Sequence, residues 1–432
     1  MQILPWFSAL PLAPPLPLLP GLSNPEQRQL ANGAQVMVLG METSPLVCID
    51  FWCRAGSVFE GPGESGLAHF LEHMVFKGSR NLAAGEFDRR IEALGGQSNA
   101  ATGFDDVHYH VLIPPTAASE ALQLLLELVL EPELDGEAFT MERQVVLEEL
   151  AQSEDQPDEM AFQQLLKLGC GDHPYGQPIL GQKEALLAHQ PAAMAQFHQR
   201  LYGANRCVLA LGGQLAGWGD LDAELGSSAL ARLGAVDEPG PRSQLQVHPG
   251  EHRLAIPRLE SARLLMLWQQ PAAADVVGVM GADVMTTVMA EGRRSRLVNR
   301  LREQLRLVES IDLDVHAMEW GSFALLEAVC ETDDLGEVRQ AIGQVWQELM
   351  EEPISESEWL RAQRLVANGY RFGLEAAGGI AGLIGSNGLW SRPQSLAAPL
   401  EWLQHWNPVE LHRQALPLLD PAKAFVLEAV PT

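Results

Sequence analysis

The segment Gly66–Met74, GLAHFLEHM, contains the pattern His-x-x-Glu-His. In a helix, His69 and His73 lie about 40° apart on one face, because an α-helix turns about 100° per residue. Glu72 lies on the adjoining side, about 60° from His69. Two imidazoles one turn apart can share one divalent ion, and a carboxylate beside them can accept a proton from water on that ion. The pattern, an inverted form of a zinc-binding motif, therefore predicts a metal centre on a helix.

The same pattern also fits two surface histidines beside a glutamate, since short motifs recur by chance. The apolar residues around it favour a buried helix, and buried ionisable groups need partners. These apolar residues are Leu67, Phe70, Leu71, Met74 and Val75. A zinc site needs a third protein ligand, and the segment Glu142–Leu150 offers candidates. Glu142 and Glu149 are seven positions apart and share one helix face, although this acidic helix, taken alone, also fits a solvated surface.

With these motifs in place, the chain resembles the M16 (pitrilysin-like) zinc metallopeptidases, and among them the short-chain group related to the mitochondrial processing peptidase. The resemblance covers essentially the whole chain and is stronger in the first half. The matching stretches are Gly66–Gly78 (GLAHFLEHMVFKG), Leu94–Gly96 with Asn99 and Ala100, Glu142–Leu150 (ERQVVLEEL), and His173–Gly176 (HPYG) with Gly181. Glu149 follows His73 by 76 positions, a spacing that suits the family.

The resemblance implies a zinc ion, Zn2+, with three protein ligands. By position these ligands are His69, His73 and Glu149. Glu72 becomes the general base, and Glu142 becomes a carboxylate that orients one of the ligands, a role that metal-binding histidines commonly require. The resemblance also implies that Asn99 and Ala100 lie on a strand that pairs with the extended backbone of a peptide substrate.

The composition is that of a globular protein with apolar cores. The 432 residues are 47% hydrophobic and 20% charged, which is ordinary for folded domains, and the length suits about two to four of them. The formal net charge of −27 leaves no basic footprint and argues against nucleic acid as a partner. This charge either sets solvation alone or creates a cleft that favours basic peptides.

The termini and cysteines bear on location. No apolar run reaches the about 20 residues that a spanning helix needs, so no membrane association is expected. Residues 1–24 are rich in proline and lack the basic start of a secretory signal, so we predict an extended arm. The five cysteines form no paired framework and mostly lie in apolar runs, with Cys48 and Cys53 predicted on opposite faces of a strand. Buried thiols favour a reducing compartment, and we expect a cytoplasmic protein.

A linker at 236–246, which combines proline, glycine and polar residues, divides the chain nearly in the middle. We predict a metal-bearing domain at 25–235 and a second, homologous domain without metal at 247–432, because the order of predicted strands and helices recurs after the linker. The predicted fold class is α+β, with a mainly antiparallel sheet flanked by helices in each domain. The resemblance implies the M16/LuxS-like metallohydrolase type.

Around the metal helix, the pattern predicts an N-terminal cap by Ser65 and two strands at 97–102 and 107–113. His108 and His110 share one face of the second strand. Neither matches a ligand of the family, so we interpret both as structural histidines.

Three further interpretations concern other segments. Helices are predicted at 221–233 and 295–305. His173 is interpreted as a structural loop histidine, although it lies near the predicted centre. The basic segment 293–306 is expected to pair with nearby carboxylates rather than to bind phosphate.

The second half departs from the family in one position. In active relatives, the resemblance implies an arginine followed seven positions later by a tyrosine, a pair that binds the scissile carbonyl and its developing oxyanion. Arg302 matches the arginine, but Glu309 stands where the tyrosine is expected. Oxyanion stabilisation needs a hydrogen-bond donor or a positive charge, and an ionised carboxylate supplies neither. Either another group replaces the tyrosine or a second subunit contributes the pair, and we favour the second subunit.

The sequence thus predicts a zinc-dependent endopeptidase that cleaves unfolded or extended peptides in an enclosed chamber. The chain would be the metal-bearing subunit of a dimer with a homologous M16-type subunit, a heterodimer rather than a homodimer. The alternative is a non-catalytic peptide-binding or assembly subunit that retains a structural zinc. The substituted tyrosine favours this alternative and the intact ligand set opposes it, while manganese and cobalt stay open as the metal.

Overall fold

A computed structural model describes residues 23–134, 136–240 and 242–432. The arm predicted at 1–24 therefore lies almost wholly outside the described residues. The first sheet contains β1 Glu26–Gln29, β2 Gln35–Gly40, β3 Val47–Cys53, β4 Gln97–Thr102, β5 Val107–Ile113 and β6 Cys207–Gly213. The second sheet contains β7 Gly250–Ile256, β8 Ala262–Gln270, β9 Ser310–His316, β10 Ser322–Cys330 and β11 Phe425–Pro431.

Helices flank both sheets, which confirms the predicted α+β class. In the first half they are α1 Leu67–Val75, α2 Glu86–Ala93, α3 Ala118–Leu130, α4 Gly136–Glu154, α5 Pro157–Gly169, α6 Lys183–Ala188, α7 Pro191–Leu201, α8 Leu221–Ser227 and α9 Ala229–Arg232. In the second half they are α10 Val276–Ala290, α11 Leu335–Glu351, α12 Glu356–Gly373, α13 Ala377–Leu389, α14 Ala398–Leu403 and α15 Pro408–Glu410. Two segments are π-helical, Val298–Gln304 and Leu411–Ala415. Among the described residues, no helix is both long and apolar enough to cross a bilayer.

The two sheets repeat one topology. The first has the strand order β1-β2-β6-β3-β5-β4 and the second β7-β11-β8-β10-β9. The parallel pairs are β2 with β6 and β7 with β11, and the other neighbours are antiparallel. Apart from the added β1, the second sheet therefore matches the first strand for strand, as an internal duplication requires. The exact domain boundaries stay predictions.

Each sheet is covered on one face by a helix from the other half of the chain. Helix α13 packs on β2, β3 and β6, while α5 packs on β7, β8 and β11. Glycines let α13 approach closely, since a Cβ atom added at Gly385 would lie 2.4 Å from an atom of the Trp52 ring. Because α5 and α13 are exchanged in this way, each half completes the hydrophobic packing of the other.

Several local predictions are corrected. The helix predicted at 221–233 is two helices, because Ser228 adopts an extended conformation between them. The helix predicted at 295–305 is mostly π-helical. Strands β1, β7 and β11 were not predicted. Strands β1 and β7 are polar edge strands without an apolar alternation, while β11 is an inner strand near the C-terminus.

Other local predictions are confirmed. All five cysteines are buried thiols without a disulfide, and Cys48 and Cys53 pack into different apolar clusters on opposite faces of β3. Four of the six arginines of the segment 293–306 form ion pairs with glutamates, as expected. These pairs are Arg293 with Glu303, Arg296 with Glu358, Arg300 with Glu348, and Arg302 with Glu303.

The packing of α13 predicts opposite effects at two glycines of this helix. Gly385→Ala should lower the free energy of unfolding by about 1–3 kcal/mol, because the new methyl group collides with Trp52. Gly382→Ala, where an added Cβ meets nothing within 4 Å, should be neutral or stabilising by about 0.5–1 kcal/mol. Chemical denaturation of the two variants measures the difference. Equal stability of both variants would contradict the close packing.

Candidate metal centre

Helix α1 starts at a glycine that takes a left-handed conformation. Gly66 has φ 80°, and the helix begins at the next residue. The predicted cap by Ser65 is wrong, because its hydroxyl has no partner among the described residues. The Glu60 carboxylate instead accepts hydrogen bonds from the backbone N–H groups of Gly66 and Ala68, at 3.0 and 2.9 Å. An acidic side chain suits this end of a helix, where N–H groups lack internal partners.

The segment His173–Gly181 supports α1 from outside. A Cβ atom added at Gly181 would lie 2.4 Å from the Cα atom of Gly66, so the two backbones are in close contact. His173 is buried, its Nδ1 accepts from the backbone N–H of Tyr175 at 3.2 Å, and its Nε2 donates to the carbonyl of Ser243 at 3.0 Å. Burial lowers the pKa of His173 and favours this neutral form. These contacts agree with a structural role.

The side chains of His69, His73 and Glu149 converge where α1 meets α4. The Nε2 atom of His73 is 3.3 Å from Glu149 Oε2, and the Nε2 atom of His69 is 3.7 Å from Glu149 Oε1. A tetrahedral zinc ion with ligand bonds of about 2.0–2.2 Å has edges between ligand atoms of about 3.4 Å. The three side chains can therefore hold one zinc ion with small adjustments.

Glu142 lies behind His73 and engages its other ring nitrogen. Glu142 Oε1 is 2.9 Å from His73 Nδ1, and Glu142 Oε2 is 2.6 Å from the ammonium group of Lys77. With Nδ1 donating to Glu142, the Nε2 lone pair of His73 is left to face Glu149. Burial would raise the pKa of Glu142, but the hydrogen bonds from His73 and Lys77 outweigh it, so this pKa is lowered.

Burial also sets the protonation of the remaining groups. It lowers the pKa of His69 to about 4, with a further contribution from His73, so His69 is neutral near pH 7. Burial raises the pKa of Glu72, and the hydroxyl of Thr102 partly opposes this by donating to Glu72 Oε2 at 2.5 Å. Glu72 is thus a carboxylate held next to the ligand pair and shifted towards the range of a useful base.

Strand β4 is one of the two edge strands of the first sheet and carries Asn99 and Ala100. The N–H group of Ala100 donates to the Asn99 side-chain oxygen at 2.9 Å, so it points away from the ladder with β5. Thr102, at the end of the same strand, connects this edge to Glu72. An unpaired edge offers backbone donors and acceptors to another extended chain.

Arg302 and Glu309 lie in the second half. Arg302 donates to Glu303 of its own segment at 3.1 and 3.0 Å, and Glu309 Oε1 accepts from the Ser261 hydroxyl at 3.3 Å. None of these contacts includes α1, α4 or β4. The catalytic role implied for Arg302 stays a prediction.

Sequence reasoning did not name three residues that shape this site. Lys77 lies just after the end of α1, and its partner Glu142 lies on α4, so no local pattern indicated this contact. Glu60 and Thr102 had no local signal, because their partners lie across loops or on another element.

Comparisons with known proteins agree on one family. The family profile described as "Insulinase (Peptidase family M16)" matches residues 36–183, and the profile "Peptidase M16 inactive domain" matches residues 190–366. An uncharacterized zinc protease of Rickettsia bellii is 26% identical over 285 residues, 66% of this chain and 68% of that protein. An uncharacterized zinc protease of Mycobacterium tuberculosis is 26% identical over 411 residues, 92% and 91% of the two chains.

Solved structures show the same fold. A protease from Helicobacter pylori matches with a TM-score of 0.86 at 22% identity, covering 95% of this chain and 100% of that one. A peptidase M16 inactive domain from Pseudomonas fluorescens matches with a TM-score of 0.85 at 20% identity, covering 95% and 99%. The fold and the site thus define a two-sheet peptidase-type protein with a candidate metal centre. The chain belongs to peptidase family M16.

The contact between Glu142 and His73 predicts how zinc affinity changes when Glu142 is replaced by a neutral residue. Glu142→Gln should weaken zinc binding about 10- to 100-fold, because the amide no longer fixes the His73 tautomer as a carboxylate does. The control Glu148→Gln changes an exposed glutamate of the same helix and should leave zinc affinity unchanged. Competition with a chromophoric chelator measures the zinc dissociation constant of each variant. An unaltered affinity in Glu142→Gln would show that this carboxylate does not orient the ligand.

Proposed function

We propose that this chain is the metal-bearing subunit of a zinc-dependent endopeptidase that cleaves unfolded or extended peptides in an enclosed chamber. The observation that carries the proposal is the convergence of His69, His73 and Glu149, with Glu72 beside them. Family membership and the names of the relatives, uncharacterized zinc proteases, support the same reaction class.

The proposed roles of the residues are supported by their contacts. His69, His73 and Glu149 would hold the ion, which when bound lowers the pKa of a water ligand to about 7 and polarises a substrate carbonyl. Glu72 accepts the proton of the attacking water and returns it to the leaving amine. The Thr102 hydroxyl holds one oxygen of the Glu72 carboxylate in place and leaves the other oxygen for this transfer.

The substrate would bind as an added strand along β4. Backbone pairing at a sheet edge gives affinity with little demand on side-chain sequence. The N–H group of Ala100 donates a hydrogen bond to the Asn99 side chain. When a peptide backbone accepts this hydrogen bond instead, the Asn99 side chain must rotate away. An extended peptide on this edge would run beside Thr102 and therefore beside Glu72.

A homologous second subunit would complete the chamber. The segment around Arg302 has Glu309 in place of the tyrosine of active relatives, and a carboxylate cannot donate to a developing oxyanion. A partner that carries both the arginine and the tyrosine would supply this function, which is why we favour a heterodimer over a homodimer. If no such partner exists, the non-catalytic alternative with a structural zinc gains support from the same substitution.

Glu72→Gln tests the reaction directly. The variant should keep its zinc, because Glu72 is not one of the three converging groups, but it should lose about 10²- to 10⁴-fold in peptide cleavage through loss of the base. Metal analysis measures the zinc content of the variant. The rate of cleavage of an unstructured peptide is measured with the chain alone and with candidate M16-type partners.

The control for this experiment is Glu148→Gln, which should cleave like the wild type. Cleavage at the wild-type rate by Glu72→Gln would refute the base assignment. Zinc-loaded wild type that cuts no peptide, alone or with a homologous partner, would favour the non-catalytic alternative.

Substitutions at Ala100 test the proposed substrate strand. Ala100→Pro removes an N–H group that points away from the sheet ladder, a position where an edge strand tolerates proline. It should raise KM several-fold with a smaller effect on kcat, because one backbone hydrogen bond to the peptide is lost. Ala100→Gly keeps the N–H group and serves as the control. Equal KM values for the two variants would place the substrate elsewhere.

A further inference from the structure

A second group of potential metal ligands lies on the central strands of the first sheet. His108 and His110 are two apart on β5, so their side chains point to the same face. Asp50 on β3 lies directly opposite His110 in the strand register. The ligand atoms of these three side chains all lie within 4.8 Å of one another. Strand pairing, which the sequence alone did not reveal, is what adds the carboxylate to the two histidines.

This group lies on the sheet face opposite to α1. On the neighbouring strand β4, Ala101 pairs with His108 and Asn99 pairs with His110, and both β4 residues are exposed. On the other side, α13 covers β3 and β6. Asp50, His108 and His110 therefore lie between the part of this face that α13 covers and the edge strand β4.

The contacts of the group fix two of its members. The Nδ1 atom of His108 is 3.0 Å from Asp50 Oδ1, and the His108 ring stacks on Trp52 with centroids 4.2 Å apart. The rings of His108 and His110 are nearly parallel, at 16°, with centroids 5.5 Å apart. Asp50 is held rigidly because it is only 2% exposed on an inner strand. His110 is half-buried and is the member that can turn.

The charges around the group favour a cation. Burial lowers the pKa of His108, but the hydrogen bond and the charge of Asp50, 3.0 Å away, outweigh burial and raise this pKa, so His108 is the positive partner that the buried Asp50 carboxylate needs. Two further carboxylates, Asp106 and Glu72, act electrostatically on His108. The cation near Asp106, Arg392, is paired with Glu319. Burial lowers the pKa of His110, so its imidazole is neutral and can donate a lone pair.

We propose that Asp50, His108 and His110 form a second binding site for a divalent transition-metal ion, separate from the site on α1 and α4. The ion takes the place of the proton between Asp50 Oδ1 and His108 Nδ1, whose 3.0 Å separation is close to the edge of about 3.4 Å in a tetrahedral site. His110 turns inward as the third ligand. Two imidazoles and one carboxylate suit Zn2+, Co2+ or Ni2+, and the inference does not depend on peptidase activity.

Metal stoichiometry tests the proposal. The apo-protein is titrated with Co2+, followed by visible absorption, and bound metal is measured after equilibrium dialysis. Wild type should bind two ions per chain. The double variant His73→Ala/Glu149→Ala should keep one ion, His110→Asn should keep one ion, and the combination should bind none.

Two controls keep the result interpretable. His252→Asn removes an exposed histidine of β7 and should not change the number of ions. Thermal unfolding and near-ultraviolet circular dichroism establish that each variant is folded, and the test uses His110 because this residue is only half-buried, whereas Asp50 is 2% exposed. Wild type that binds one ion, or His110→Asn that still binds two, would overturn the proposal.

Discussion

His73 lies between two carboxylates of one helix, and the candidate centre depends on that arrangement. Glu142 engages Nδ1 and Glu149 faces Nε2. Both glutamates lie on α4, two turns apart. The packing of α4 against α1 therefore places Glu142 at Nδ1 of His73 and, at the same time, places Glu149, the third candidate ligand, at Nε2. Lys77 pairs with Glu142, while Glu149 and Glu72 act electrostatically on His73 from its other side, where a cation would interact with both carboxylates.

The rest of the fold keeps α1 in the position that this packing requires. Glu60 caps the helix, Gly181 contacts Gly66, and Thr102 connects Glu72 to the sheet edge. The two halves are joined by exchange of α5 and α13. A polar contact adds to this, because Tyr175 donates to Asp105 at 2.6 Å and accepts from the backbone of the second half. The first sheet, whose edge strand reaches Glu72, is therefore packed against elements of both halves.

Much of this architecture could be predicted from local sequence. The strands β4 and β5 have the predicted bounds, because the residue patterns and turn signals that define them are local properties. The family motif similarly led to the residues that converge at α1 and α4. The helix exchange and the pairing of Asp50 with His108 were not predicted, because both depend on contacts between residues far apart in the chain. The Glu60 cap was not predicted because a loop separates Glu60 from the start of α1. The polar strand β7 was missed because it has no apolar alternation.

Strand β4 connects the two candidate metal sites. Thr102 reaches Glu72 from one face of the strand, while Asn99 and Ala101 pair with His110 and His108, which point to the other face. An extended peptide on this edge would therefore pass between the two groups of ligands. This arrangement follows from the alternation of side chains along a strand.

X-ray diffraction from crystals of the zinc-loaded protein, recorded on both sides of the zinc absorption edge, tests the central claim most directly. The account predicts an anomalous peak within bonding distance, about 2.0–2.2 Å, of His69 Nε2, His73 Nε2 and a carboxylate oxygen of Glu149. Fully zinc-loaded crystals with no peak between these three side chains would contradict it.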